Sequence, residues 1–154
     1  MTNKTDQTTD FDDIEEGQIF SFGEYLLPQQ EVIEFATRWD PQPFHIDEIA
    51  AKQSHFGGLT ASSLHIFAVC TRLFADYRPA MNILAMLGKD ELRIPAPARP
   101  LDTLIYRSEC ISKKASASKP ERGIIVLQDQ VTNQHNDIIL TQKVTLMLAR
   151  RGQQ

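Results

Sequence analysis

Apolar residues first recur along the chain at strand spacing. Gln18-Ile19-Phe20-Ser21-Phe22, after the turn residue Gly17, predicts a short opening strand. From Gln29 to Arg38 the spacing becomes helical, with Val32, Ile33, Phe35, Ala36 and then Trp39 on one side and Pro28 at a permitted first-turn position. Pro41 stops that helix, because the residue before a proline is pushed out of helical conformation, and Pro43 does the same to Gln42. The stretch Asp40 to His45 is therefore expected to be stiff and irregular. Asp47 suits the N-cap of a short helix over Glu48 to Lys52.

After Gly57-Gly58 the residues Leu59 to Tyr77 place Leu64, Ile66, Phe67, Ala68, Val69, Cys70, Leu73, Phe74 and Ala75 around nearly the whole circumference of a helix. A helix apolar on all sides is expected to be buried on all sides. Its length of about 22 Å matches a sheet of several strands wrapped around it.

Pro79 ends it, and most of the remainder reads as strand. Asn82 to Leu87 is apolar and could be strand or irregular, and Leu92 to Ile94 is short. Pro95 to Pro100 fits only an extended edge or a connection. Leu104 to Ile111 and Ile124 to Val131 alternate. Leu140, Val144, Leu146 and Leu148 share one face of the last strand, opposite Thr141, Lys143 and Thr145. A loop is expected from Ser112 to Arg122. The short turn from Asn133 to Asp137 should join the last two strands as an antiparallel hairpin.

The class expected is α+β, an antiparallel sheet around one long central helix. Residues 17–150 would form the single domain and residues 1–16 a flexible polar tail. A sheet of this kind leaves an edge open, so a homodimer is expected.

Composition narrows the function. A chain of 154 residues fits one domain. No apolar run approaches the roughly 20 residues of a membrane span, and Met1 to Asp13 lacks the apolar core of a signal peptide. Cys70 and Cys110 read as reduced, packed thiols, so the cytoplasm is the expected location. The net charge of -4 argues against a nucleic-acid partner. Local basic groups are Lys113, Lys114, Lys119 and Arg122; Arg93 with Arg99; and Arg150 with Arg151. His45, His55 and His65 recur every ten residues, a period no metal site requires, and no metal or cofactor is expected.

Candidate chemistry concentrates between Asp40 and Ser63. A carboxylate and an imidazole held close together can activate water and deliver a proton. The stretch abuts the start of the apolar helix, whose first N–H groups lack internal partners and favour developing negative charge. An amide near Ser62 or Ser63 could hold an enolate oxygen. These are the parts needed to add water next to a thioester carbonyl.

The run Asp40-Pro41-Gln42-Pro43-Phe44-His45-Ile46-Asp47 resembles the signature of the MaoC-like dehydratases, the (R)-specific enoyl-CoA hydratases of hot-dog fold. In that motif an Asp is followed by any residue, then Asn, Pro, an apolar residue and His. The likeness extends through Ala50, Ala51 and Phe56 to Ala61-Ser62-Ser63-Leu64, and again from Pro97 to Leu104. It implies a hot-dog fold and the interconversion of a trans-2-enoyl thioester with its (R)-3-hydroxyacyl form, with an acyl-CoA as partner.

Carried over by position, Asp40 would deprotonate the attacking water and His45 would protonate the α-carbon. The Ser63 amide would hold the thioester oxygen, and the Thr71 hydroxyl would support the pair. Three positions depart from the pattern: Gln42 stands for asparagine, Ser63 for glycine, and Leu101 for the glycine before Asp102. Two rivals are a thioesterase of the same fold and a subunit that binds acyl-CoA without turnover. Asp76 is the one acid in the central helix, near its far end.

Overall fold

The structure, a computed structural model, describes residues 7–152. After a 3-10 turn at Phe11–Asp13 the elements are β1 (Ile19–Leu26), α1 (Gln29–Trp39), α2 (Pro43–Ile46), α3 (Glu48–Gln53), α4 (Ser63–Asp76), β2 (Ile83–Arg93), β3 (Thr103–Ala115), β4 (Arg122–Thr132) and β5 (Ile138–Ala149). The strands form one sheet in the order β1-β3-β4-β5-β2. Every pairing is antiparallel, including the expected β4–β5 hairpin.

Alternation supplies the core. Leu104, Tyr106 and Cys110 of β3, Ile125, Leu127 and Val131 of β4, and Leu140, Val144, Leu146 and Leu148 of β5 are all buried on one face. Ile66, Val69 and Cys70 of α4 complete the same core. The α+β expectation of a sheet packed on one long helix holds.

Its detail needs correction. Only one side of α4 is buried, and Leu64, Ala68, Thr71, Arg72 and Ala75 leave a stripe of that helix exposed in the protomer. The apolar circumference therefore overstates burial within one chain. The segments expected as two pieces around Leu92 form one strand, β2, because its ladder to β5 is interrupted by register shifts rather than broken. Likewise β3 runs past Ser112 to Ala115, still paired to β4 beyond a bulge after Cys110.

The tail expectation also fails for the described part of that segment. Thr9 bridges Met81, and the Thr9 N–H donates to the Ala80 carbonyl at 2.8 Å. Phe11 and Ile14 are 3% and 0% exposed, and the Phe11 ring fills the space a side chain at Gly123 would occupy. Burying such a ring is worth about 3 kcal/mol.

The acids that make this segment look solvated have local tasks. Asp10 and Asp13 cap the turn reciprocally, Asp12 accepts from Arg150 at 2.9 Å, and Asp13 pairs with Arg151. Arg150 and Arg151 thus clamp the chain's own start. Residues 1–6 of the expected tail lie outside the described residues.

No helix among the described residues is long and apolar enough to cross a membrane. Cys70 and Cys110 are both free and buried.

Candidate active site

Asp40 closes α1, where its N–H donates to the Ala36 carbonyl and its backbone has left helical conformation. The two prolines do not keep the following segment irregular throughout. Pro43 sits at the start of the one-turn helix α2, where its missing N–H costs nothing, and His45 lies inside that turn. The rigid link is thus Asp40 to Gln42, followed by a helical turn that aims His45 back at Asp40. Asp47 then caps α3, accepting from the Ile49 and Ala50 amides.

The imidazole is buried. Its Nδ1 lies 2.6 Å from the Thr60 carbonyl, and because a carbonyl can only accept, Nδ1 carries a proton. Nε2 then faces the Asp40 carboxylate, 3.4 Å from Oδ2. Ser62 donates its hydroxyl to that same Oδ2 at 2.7 Å, while its Oγ accepts the Leu64 N–H at 3.2 Å as the N-cap of α4. Among the described residues nothing donates to Asp40 Oδ1, and the Ser63 N–H has no acceptor.

A cavity of about 530 Å³ opens beside these groups, its walls including His45, Phe44, Phe56, Thr60, Ser63 and Pro97. Asp40 is not part of its wall; its partly exposed carboxylate adjoins the wall at His45, 3.4 Å from Nε2. His55 is exposed on the rim. Arg99, which the sequence groups with Arg93, sends its guanidinium to the Phe56, Gly58 and Leu59 carbonyls and so fixes the wall. Arg93 lies at the end of β2, where its guanidinium donates to the Leu92 carbonyl.

Asp40, His45 and Ser63 therefore converge. Thr71 does not join them: its hydroxyl donates to the Phe67 carbonyl at 2.9 Å on the exposed side of α4. Asp76 is exposed, paired with Arg72 at 2.8 Å. Thr60 is a site residue that the sequence does not single out, and Ser62, expected only as a candidate amide, engages Asp40 through its hydroxyl. Ser62 had a legible signal, a serine immediately before a long apolar helical run. Among the described residues no three His, Cys, Asp or Glu side chains gather as a metal site would require.

Comparison with known proteins places this geometry. The MaoC-like domain model matches residues 2–131, and the chain belongs to that family. A MaoC-like dehydratase of Rhodospirillum rubrum is 32% identical, superposes with a TM-score of 0.87, and is matched over 92% of this chain and 97% of its own. The (R)-hydratase PhaJ1 of Pseudomonas aeruginosa, unliganded, shares 21% identity and a TM-score of 0.73, over 92% of this chain and 86% of its own. A double-hotdog protein of Mycobacterium tuberculosis gives a TM-score of 0.78 at 18% identity, over 96% of this chain and 46% of its own. The fold is the hot-dog fold.

A second buried histidine stands apart from this site. His65 stacks on Phe35 with ring centroids 4.6 Å apart, and among the described residues neither ring nitrogen has a hydrogen bond. Its Nε2 is 3.7 Å from Glu31, whose carboxylate already accepts the Tyr25 hydroxyl at 2.6 Å. Burial pulls the His65 pKa below the ordinary value, with Glu31 opposing only in part. The folded chain thus prefers neutral His65. The associated stability is full above the unfolded value of about 6.5 and is lost as pH falls through that value towards the lower folded one. Urea denaturation at about pH 7 and about pH 5 should show a smaller loss for His65→Phe, which keeps the stack, than for the wild type. Equal losses would contradict this.

Proposed function

We propose that the protein reversibly hydrates a trans-2-enoyl-CoA to its (R)-3-hydroxyacyl form. The observation that carries the reading is the convergence of Asp40 and His45 beside the unpartnered Ser63 N–H at the start of α4. Membership of the MaoC-like domain family and the likeness to a dehydratase support it.

In the hydration direction His45 enters as imidazolium, with Nδ1–H held by Thr60 and Nε2–H pointing towards Asp40. The Ser63 amide, aided by the positive end of α4, takes the thioester oxygen and stabilises the enolate that forms. Asp40 removes a proton from water as its oxygen bonds to the β-carbon. His45 Nε2 gives its proton to the α-carbon. Both hydrogens of the water are then accounted for, one on the product hydroxyl and one on Asp40. Passing the latter to Nε2 resets the pair. No redox change or external group is needed.

Gln42 and Ser63 leave this machinery intact, since Gln42 contributes backbone to the link and Ser63 acts through its amide. Leu101, at the family's glycine, carries a left-handed φ of 70° and bears its side chain to solvent, away from the cavity.

Loss of enoyl absorbance with crotonyl-CoA and longer substrates tests the reading. Asp40→Asn and His45→Ala should each lower kcat by about 10²–10⁴-fold. Turnover surviving both substitutions would rule the mechanism out. Thiol release without hydration would select the thioesterase, and ligand binding without turnover the non-catalytic subunit.

The assembly proposed is a homodimer through β2. This edge strand exposes Leu84, Met86 and Leu87, and Ile94 beyond it, an open apolar edge that pairing would cover. Sedimentation should show a dimer that Leu84→Lys with Leu87→Glu converts to monomer. A wild-type monomer would contradict the assembly.

A further inference from the structure

Two acceptors compete for the proton of a neutral His45 ring. The Thr60 carbonyl draws it to Nδ1 at 2.6 Å, and the Asp40 carboxylate, 3.4 Å from Nε2, draws it to the other nitrogen. A carboxylate is the stronger acceptor, because charge-assisted hydrogen bonds are about twice as strong as neutral ones. The carbonyl wins only while it is held at close range.

Neighbouring peptides hold it there. The peptide that carries the Thr60 carbonyl has its other end in the Ala61 N–H, which donates to the Ala98 carbonyl at 2.8 Å. The peptide before it is tied at both ends. Its Thr60 N–H donates to the Phe44 carbonyl at 3.1 Å, and its Leu59 carbonyl accepts the Arg99 guanidinium at 3.3 Å. The same guanidinium donates to the Gly58 carbonyl at 2.9 Å and to the Phe56 carbonyl. Gly57, at a left-handed φ of 68°, turns the chain so that the carbonyls of Phe56, Gly58 and Leu59 converge on one side chain.

Asp102 sets the other half of this clasp. It is 7% exposed and forms no part of the cavity wall. One carboxylate oxygen accepts the Arg99 N–H at 2.8 Å, and the other accepts Gln134 Nε2 at 2.9 Å from the turn between β4 and β5. Gln134 Oε1 in turn accepts the Thr103 N–H at 3.0 Å. An unbroken run of hydrogen bonds thus leads from the end of the sheet, through Asp102 and Arg99, to the loop that presents the Thr60 carbonyl.

We propose that Arg99 and Asp102 are positioning residues that set which nitrogen of His45 carries the proton. The consequence rests on the hydration reading. Once His45 has given its proton to the α-carbon, Nε2 must be bare to be recharged from Asp40. In the dehydration direction a bare Nε2 takes the α-proton. A ring protonated on Nε2 alone can do neither.

Imidazole nitrogen NMR of the substrate-free protein, at alkaline pH where the ring is neutral, reads the proton's place directly. Wild-type His45 should carry it on Nδ1. Arg99→Lys keeps the charge but loses the planar fork that spans three carbonyls. It should lower the ratio of Nδ1–H to Nε2–H about fivefold, the effect of one net hydrogen bond. Asp102→Ala, which removes a residue touching neither the cavity nor His45, should move the ratio the same way. His65, stacked on Phe35 away from this loop, should keep its ratio in both variants. An unmoved His45 ratio in a folded variant would overturn the proposal, as would an equal change at His65, the mark of general loosening. If one variant does not fold, the other decides. A shifted ratio in a protein without hydratase activity supports the clasp and removes only its consequence, whereas hydration with an unmoved ratio overturns the clasp alone.

Discussion

One hydroxyl, that of Ser62, ties the central helix to the candidate chemistry. The residue is fully buried, and its Oγ both accepts the Leu64 N–H at the mouth of α4 and donates to Asp40. Capping of this kind is worth about 1 kcal/mol to a helix. Its larger consequence is geometric, because the start of α4 and the end of α1 are locked to the same atom. Asp40 is thereby held against His45, and the neighbouring Ser63 N–H stays free to face the cavity. A carboxylate attached only to the end of α1 would swing with that helix.

The imidazole is fixed from the other side. Thr60 takes Nδ1 through its carbonyl and leaves Nε2 facing Asp40. Thr60 itself stays in place because its N–H donates to the Phe44 carbonyl, one residue before His45. Arg99 braces the loop just upstream through three carbonyls. The site is thus built from backbone groups of one loop and the ends of helices α1, α2 and α4.

Much of this was legible in the chain. The 3.6-residue spacing located α1, Asp47 announced α3, and alternation located β4 and β5 with their hairpin. The pairing of Asp40 with His45 followed from two prolines and a motif. What was not legible has physical causes. Phe11 and Ile14 sit among acids whose charges are consumed by capping and by Arg150 and Arg151, so the segment reads as a solvated tail. Pro43 does keep Gln42 extended, yet at a first-turn position it opens a helix of its own and so ends the irregular stretch early. Register shifts in β2 break alternation and disguise one strand as two. The buried cross-strand pair Asp129 and Gln142 was visible only as gaps in an otherwise apolar alternation. Nothing in the sequence places those gaps opposite one another until the register is known.

The most direct measurement is a crystal structure of Asp40→Asn with crotonyl-CoA bound. The substitution keeps an acceptor for Ser62 while slowing turnover. The account predicts the thioester oxygen about 2.7–3.1 Å from the Ser63 nitrogen. It also predicts the β-carbon turned to residue 40 and the α-carbon to His45 Nε2. A thioester seated away from the Ser63 amide, with its double bond out of reach of both side chains, would contradict it.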